Sequence, residues 1–297
     1  MTLKGLIAAL TPAVFVLLWS TGFIGSKLGA PYAEPFVFLT LRFLLVLPAL
    51  ALIAVLAGAK WPDRPALVGH CIVTGMLVHG VYLGGVFWAI DNGMPAGAAS
   101  LVVGLQPLVS TLGAGWILNE KILSRHWAGM ALGAFGLVLV LAPRLGEAGS
   151  GITAATIAAV LLAVVAISLG TVYQKRFVPF TDHVAATTWQ YVGALLVTVP
   201  LAFTETWTVE WTGEFVFALG WLVVVLSIGA ILLLMALIRA GAVAEVASLF
   251  YLVPVATTVE SYLLFGERLT LVQIGGMVLV VAAILLIRRR QRRPSPA

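Results

Sequence analysis

Apolar residues run almost unbroken through ten stretches of the chain, and the polar residues gather in short clusters between them. A helix needs about 20 apolar residues to cross the hydrocarbon core of a bilayer. On that ruler the pattern predicts ten spans, at about 7–25, 36–58, 66–90, 95–117, 126–142, 152–173, 184–203, 214–238, 242–263 and 270–287. The fold class expected is an all-α polytopic membrane protein of ten transmembrane helices.

The pattern also repeats. Ala99-Ser100-Leu101, Leu105-Gln106-Pro107, Leu118-Asn119-Glu120-Lys121 and Trp127-Ala128-Gly129 are matched by Ala247-Ser248-Leu249, Leu252-Val253-Pro254, Phe265-Gly266-Glu267-Arg268 and Ile274-Gly275-Gly276. Pro107, Glu120 and Gly129 meet Pro254, Glu267 and Gly276 at one offset of 147, while the Ala-Ser-Leu pieces need a one-residue gap. Two five-helix repeats are therefore expected, 1–147 and 148–297, with Gly146 to Gly151 as the joint. An odd number of spans per repeat makes the second enter the membrane from the opposite side, an inverted repeat. Lys4 ahead of the first apolar run has the outline of a secretory signal. Its removal would leave the first repeat one helix short, so the run is read as a retained helix.

Composition narrows the class further. The chain is 61% hydrophobic and 10% charged, against roughly 25% charged in soluble domains. The net charge of +5 comes from the arginines that close the chain, Arg288 to Arg293, which read as a membrane-surface anchor rather than a nucleic-acid site. With both termini placed in the cytoplasm, thirteen Lys and Arg fall inside and three outside, a strong positive-inside bias. A single cysteine, Cys71, leaves no intrachain disulfide and no cysteine metal cluster. The loop from Thr204 to Gly213, with Glu205, Trp207, Glu210 and Trp211, reads as an interfacial aromatic belt in preference to a binding lid.

An ionisable side chain in mid-membrane is costly and calls for a reason. His79 lies near the centre of the third span, with Tyr82 on the same helical face and Gly75 and Val86 continuing that stripe. Two readings stand side by side: a neutral histidine bonded to a neighbouring helix, or a cavity-lining group. In the fourth span Ala99, Val103, Gln106, Ser110 and Gly113 share a face, and Pro107 frees carbonyls that are able to line a cavity but not to face lipid. Pro254 sits at the matching place in the ninth span. Trp19, Tyr173 and Trp189 are aromatics well inside apolar runs, and as a group they suit a cavity for an apolar or aromatic solute. Arg42 is expected to snorkel outward or to pair with Glu34 or Asp91. Nucleotide-binding loops, paired intramembrane aspartates, metal-spaced histidines and nucleophile arrangements are all missing, so no cofactor, ATP hydrolysis or enzymatic activity is expected.

Trp19-Ser20-Thr21-Gly22-Phe23 with Lys27, then Pro35 and Leu41-Arg42-Phe43, then the doubled Pro, Gly-Glu and Gly pattern, resemble the EamA family of the drug/metabolite transporter superfamily. Within it the chain looks most like the YddG-like aromatic amino-acid exporters. The resemblance implies ten helices in two inverted five-helix repeats and a central cavity lined mainly by spans one, three, four, six, eight and nine. It also implies export of amino acids and related metabolites across an inner membrane by alternating access. On that footing Trp19, Tyr82, Tyr173 and Trp189 are expected to touch the apolar part of the solute. His79 and Gln106 are expected to bond its polar end, and Pro107 and Pro254 to act as bending points. The alternative substrates are threonine or homoserine, or cationic drugs; the rival classes are an intramembrane enzyme and a non-transporting scaffold. The partners expected are a small-molecule substrate and membrane lipids, with no nucleic acid and no required protein partner, so a monomer.

Overall fold

The computed structural model describes residues 3–118, 123–145, 147–179, 181–230, 233 and 252–288. Among these residues there are ten helical stretches: α1 (Leu3–Gly29), α2 (Pro35–Leu56), α3 (Pro65–Asp91), α4 (Ala96–Ile117), α5 (Ser124–Leu141), α6 (Ala154–Phe177), α7 (His183–Ala202), α8 (Gly213–Gly229), α9 (Val253–Phe265) and α10 (Leu271–Arg288). Each falls on one of the ten apolar runs. Six of them, α2 to α7, are long and apolar enough to cross a membrane by length and composition, and shorter apolar helices follow. Glu245 and the Ala-Ser-Leu copy at 247–249 lie outside the described residues, as do the arginines beyond Arg288.

Local sequence sets where the helices begin and break. Pro35 and Pro65 open α2 and α3, where a missing N–H costs nothing because the first-turn donors have no helical acceptor. Thr153 and Asp182 cap α6 and α7 with side-chain oxygens, Asp182 accepting from the N–H groups of Val184 (2.9 Å) and Ala185 (3.3 Å). Inside α4 the helix stops at Val103, turns through Gly104 and Leu105, and restarts at Gln106 with Pro107 in its first turn. Pro254 likewise stands in the first turn of α9. A Cβ placed on Gly104 would lie 3.1 Å from the ring of Pro254, so the break in α4 rests against the proline of α9.

Two helices contain a wider π-helical turn, α3 at Met76–Val81 and α8 at Trp221–Ala230. Shifting the first by the offset of the sequence repeat lands inside the second. Such turns inside α-helices are frequent at functional sites.

Helices pack in the pairs α2 with α7, α4 with α9, α5 with α10, α3 with α7, α2 with α8, α3 with α6, α1 with α8, α4 with α6 and α1 with α9, and further contacts join α2 to α3 and α1 to α3 and α4. Two of these crossings depend on glycine. A Cβ on Gly136 would meet the Gly276 carbonyl at 2.7 Å, and one on Gly276 would meet the Gly136 carbonyl at 2.5 Å, so α5 and α10 touch backbone to backbone. Between α3 and α7 the approach is closer still: Gly75 faces the backbone of Gln190 (1.8 Å to its carbonyl oxygen from a built Cβ) and Gly193 faces Ile72 (2.0 Å).

The two ends of the bundle differ. At one end, where α1, α3, α5, α7 and α9 finish, carboxylates from one half hold the other. Glu205 accepts from the N–H groups of Phe36 (3.0 Å) and Val37 (2.7 Å), the first turn of α2. Glu34 accepts from Thr206 N–H (2.6 Å) and its hydroxyl (2.7 Å). Glu267 pairs with Lys27 and accepts from Ala96 N–H (3.3 Å) and Gly97 N–H (3.4 Å), the first turn of α4. Tyr32 donates to Glu214, and an antiparallel bridge joins Ala33 to Val209. The 204–213 loop is therefore a strap bonded to the opposite half through Glu205, Thr206 and Glu210, while Trp207 and Trp211 remain exposed. Trp207 there takes a left-handed backbone (φ 57°), held by the bonds on either side. We call this the acidic end. The other, basic end carries Lys60, Arg64, Lys175 and Arg176 in or beside its turns.

Candidate functional site

Within the bundle lies a cavity of about 240 Å³, enclosed by α1, α2, α3, α6, α7 and α8. Its apolar wall is aromatic: Trp19 and Phe23 from α1, Tyr82 and Phe87 from α3, Tyr191 from α7. Polar side chains face the same space, among them Arg42, His79, Gln190 and Ser227. Towards the basic end the lining passes Gln174 and reaches His183, which is exposed. At the acidic end the strap and ion pair described above close the bundle.

The sequence builds this wall through its unusual turns. His79 lies in the π-turn of α3 and Ser227 in that of α8, and a π-turn shifts the phase of the residues that follow relative to a regular helix. Gln190 reaches the cavity because Gly75 and Gly193 let α7 approach α3 without side chains between them. His79 then donates from Nε2 to Oε1 of Gln190 at 3.3 Å and stacks on Tyr191, with ring centroids 4.7 Å apart and planes 12° from parallel. Tyr191 in turn meets Phe43 edge-on at 5.4 Å. Arg42, only 3% exposed, donates from Nε (3.1 Å) and Nη2 (2.9 Å) to the hydroxyl of Ser227.

The residues singled out in the sequence divide into two groups. Trp19, His79 and Tyr82 come together on the cavity, and Val86 continues their stripe into its wall. Gln106, Tyr173 and Trp189 are outside the lining. Gln106 opens the second segment of α4, where its carbonyl accepts from Ser168 at 3.2 Å. Tyr173 shares a 2.7 Å hydrogen bond with Nδ1 of His70 and packs on Phe177 at 4.5 Å. Trp189 packs near Cys71, Val178 and Ala186. Pro107 and Pro254 each begin a helical segment, away from the cavity wall.

Arg42 and Gln190 line the cavity in addition to the residues expected from the sequence. Arg42 neither snorkels nor pairs with Glu34 or Asp91; its bonds run to Ser227, 185 residues away, and Glu34 is taken by Thr206. The signal in the sequence was a charge inside an apolar run, which marks a buried arginine without naming its partner. The lining also departs from the set of spans implied by the resemblance: α2 and α7 contribute where α4 and the described part of α9 do not. The cause is packing, since α4 and α9 bury their small residues Ala99 and Thr257 against neighbouring helices while the glycines draw α7 inward.

The model of the EamA-like transporter family matches the chain twice, over residues 3–142 and 154–289. The chain belongs to the EamA-like transporter family. A protein of Bacillus subtilis named as the uncharacterized transporter YvbV is 27% identical over 97% of this chain and 94% of its own length. Proteins of Salmonella typhimurium and Escherichia coli, each named a probable amino-acid metabolite efflux pump, are both 26% identical, over 91% of this chain and 91% of their own lengths. A solved structure 21% identical in sequence superposes with a TM-score of 0.64, covering 94% of this chain and 95% of that one, which establishes the fold alone. As an EamA transporter with several helices able to span a bilayer, this is a multi-pass membrane protein.

Proposed function

We propose that this chain is a secondary transporter of the inner membrane that exports amino acids, aromatic ones favoured, and related metabolites by alternating access. The observation that carries the proposal is the cavity itself: an aromatic wall with a small polar cluster, its lining running on to the exposed His183 at the basic end. Its volume of about 240 Å³ lies just under the roughly 300–1,000 Å³ of sites for drug-sized ligands, which suits a small metabolite. The two relatives named as amino-acid metabolite efflux pumps favour the same substrate class.

In this reading residues 1–147 and 148–297 are inverted repeats with both termini cytoplasmic, and the transporter works as a monomer without an enzymatic step. The helix pairing supports the repeat. Exchanging each of the first five helices with the one five places later maps the pairs α2–α7, α4–α9 and α5–α10 onto themselves and α3–α7, α3–α6 and α4–α6 onto α2–α8, α1–α8 and α1–α9, whereas α1–α3, α1–α4 and α2–α3 have no such counterpart among the described residues. The matched π-turns in α3 and α8 add a second, independent correspondence. Trp19 and Tyr82 hold the solute's apolar part and His79 its polar end, while the matched segment starts at Pro107 and Pro254 supply the bending points.

Counterflow of labelled phenylalanine in proteoliposomes, with and without a pH gradient, tests the function. Uptake inhibited by other aromatic amino acids, and weakly by threonine or a quaternary amine, is the expected result. His79→Ala is expected to raise the half-saturating concentration about tenfold, as loss of a buried polar contact does. Folded protein that shows no counterflow of any amino acid overturns the assignment.

A further inference from the structure

The cavity has an electrostatic imbalance. Arg42 is buried and carries a full charge, its Nε and Nη2 donors are satisfied by the neutral hydroxyl of Ser227, and its Nη1 has no hydrogen-bond partner among the described residues. Gln190 is 4% exposed, its carbonyl oxygen is engaged by His79, and its Nε2 is likewise without a partner. Both side chains line the same cavity, from helices that pack against each other, and no acidic residue is among the described lining residues. A buried charge without a counter-ion is strongly unfavourable unless a partner arrives. Arginine's planar fork matches a carboxylate, and an amide N–H extends that match to the second oxygen.

We propose that Arg42 Nη1 and Gln190 Nε2 form a carboxylate subsite, so that the transported solute must carry a carboxylate and need not carry an amine. This deepens the transporter reading and rests on it. Ser227 is a positioning residue: by accepting from Nε and Nη2 it fixes the guanidinium and leaves Nη1 as its unused donor. The aromatic wall takes the rest of the solute. The substrate class is then monocarboxylic acids with an apolar or aromatic body, including both amino acids and their deaminated counterparts. Amines and quaternary cations are disfavoured by the Arg42 charge, and an amide offers that charge no counter-ion.

The test is a competition series built on one skeleton: phenylalanine, 3-phenylpropionate, phenylalaninamide and phenethylamine, each against labelled phenylalanine counterflow and, separately, as stabilisers of the detergent-solubilised protein in a thermal unfolding assay. Phenylalanine and 3-phenylpropionate are expected to compete and to raise the Tm; the amide and the amine are expected to be at least about tenfold weaker, as befits a lost charge-assisted pair. Gln190→Glu supplies an internal counter-ion, and the expected outcome is loss of the carboxylate preference with Tm retained. Equal potency of the amide or amine in wild-type protein overturns the subsite whether or not transport is seen. Absence of counterflow together with selective stabilisation by the two acids overturns the transport reading and leaves the subsite standing.

Discussion

The acidic and basic ends of this bundle are made of the same helices and are built to opposite purposes. At the acidic end, Glu205, Glu34 and Glu267 each reach from one half to bond backbone or side-chain donors of the other. At the basic end the cavity lining continues to an exposed histidine, His183. Carboxylates accepting from first-turn N–H groups are favourable contacts because those donors have no helical acceptor and the helix dipole is positive there. Such contacts are also few and superficial, which makes them suitable to break and remake. The difference teaches that the sealed end is held by polar links between halves, while the cavity is held by apolar packing and glycine-mediated approach.

The strongest way to break the comparison is to make the sealed end permanent. Ala33 and Val209 pair across an antiparallel bridge, a separation within the range a disulfide spans. Ala33→Cys with Val209→Cys, oxidised, is expected to lower counterflow at least about tenfold, and thiol reductant to restore it; full activity of the cross-linked protein would show that this end does not open. Loosening the same end comes next. Glu267→Ala removes the partner of Lys27 and the acceptor at the start of α4, and a loss of about 1–2 kcal/mol of sealing is expected. A cysteine placed at Thr258, beside Gly97, should then react with an impermeant maleimide several-fold faster than in the parent.

Acid sharpens the comparison more gently. Burial pushes the Glu205 carboxyl above the ordinary carboxylate range, with Glu34 and Asp91 adding to the rise against a partial offset from the Phe36 and Val37 N–H groups. A raised value in the sealed state means that the proton binds more tightly there than after opening, when water reaches the carboxyl. Protonation therefore favours the sealed state, and the bias disappears as pH climbs above the raised value. Counterflow is expected to slow as the pH on that side falls, and Glu205→Gln to flatten the profile. The smallest effect belongs to a residue away from the cavity: Tyr173→Phe loses the bond to His70 at about 1 kcal/mol in stability, with apparent affinity unchanged in the same counterflow assay.

Much of the fold was legible because ten apolar runs of bilayer length leave few other solutions. The prolines were legible as interruptions of apolar runs, and each stands in the first turn of a helical segment. The site was legible only in part, and for a physical reason. His79 and Tyr82 share one helix, so helical spacing alone puts them on one face. Gln106 and Gln190 are both glutamines in apolar runs, and what separates them is the close approach that Gly75 and Gly193 permit between α7 and α3, a property of two helices together. Arg42 is the same case: its neighbours in sequence do not specify Ser227. In the 204–213 strap the exposed Trp207 and Trp211 were legible as interfacial aromatics, but the bonds that Glu205 and Thr206 make to α2 and Glu34 join segments far apart in the sequence and leave no local signal.

The contact between Gly136 and Gly276 has a consequence in mutational tolerance. Each glycine occupies the space that a methyl group on the other helix's backbone would need. A saturation library at these positions should be emptied of every other residue, alanine included, and no compensating change at the partner site is available to rescue it. Two positions far apart in the sequence would then be invariant for one shared reason, and would show no covariation at all.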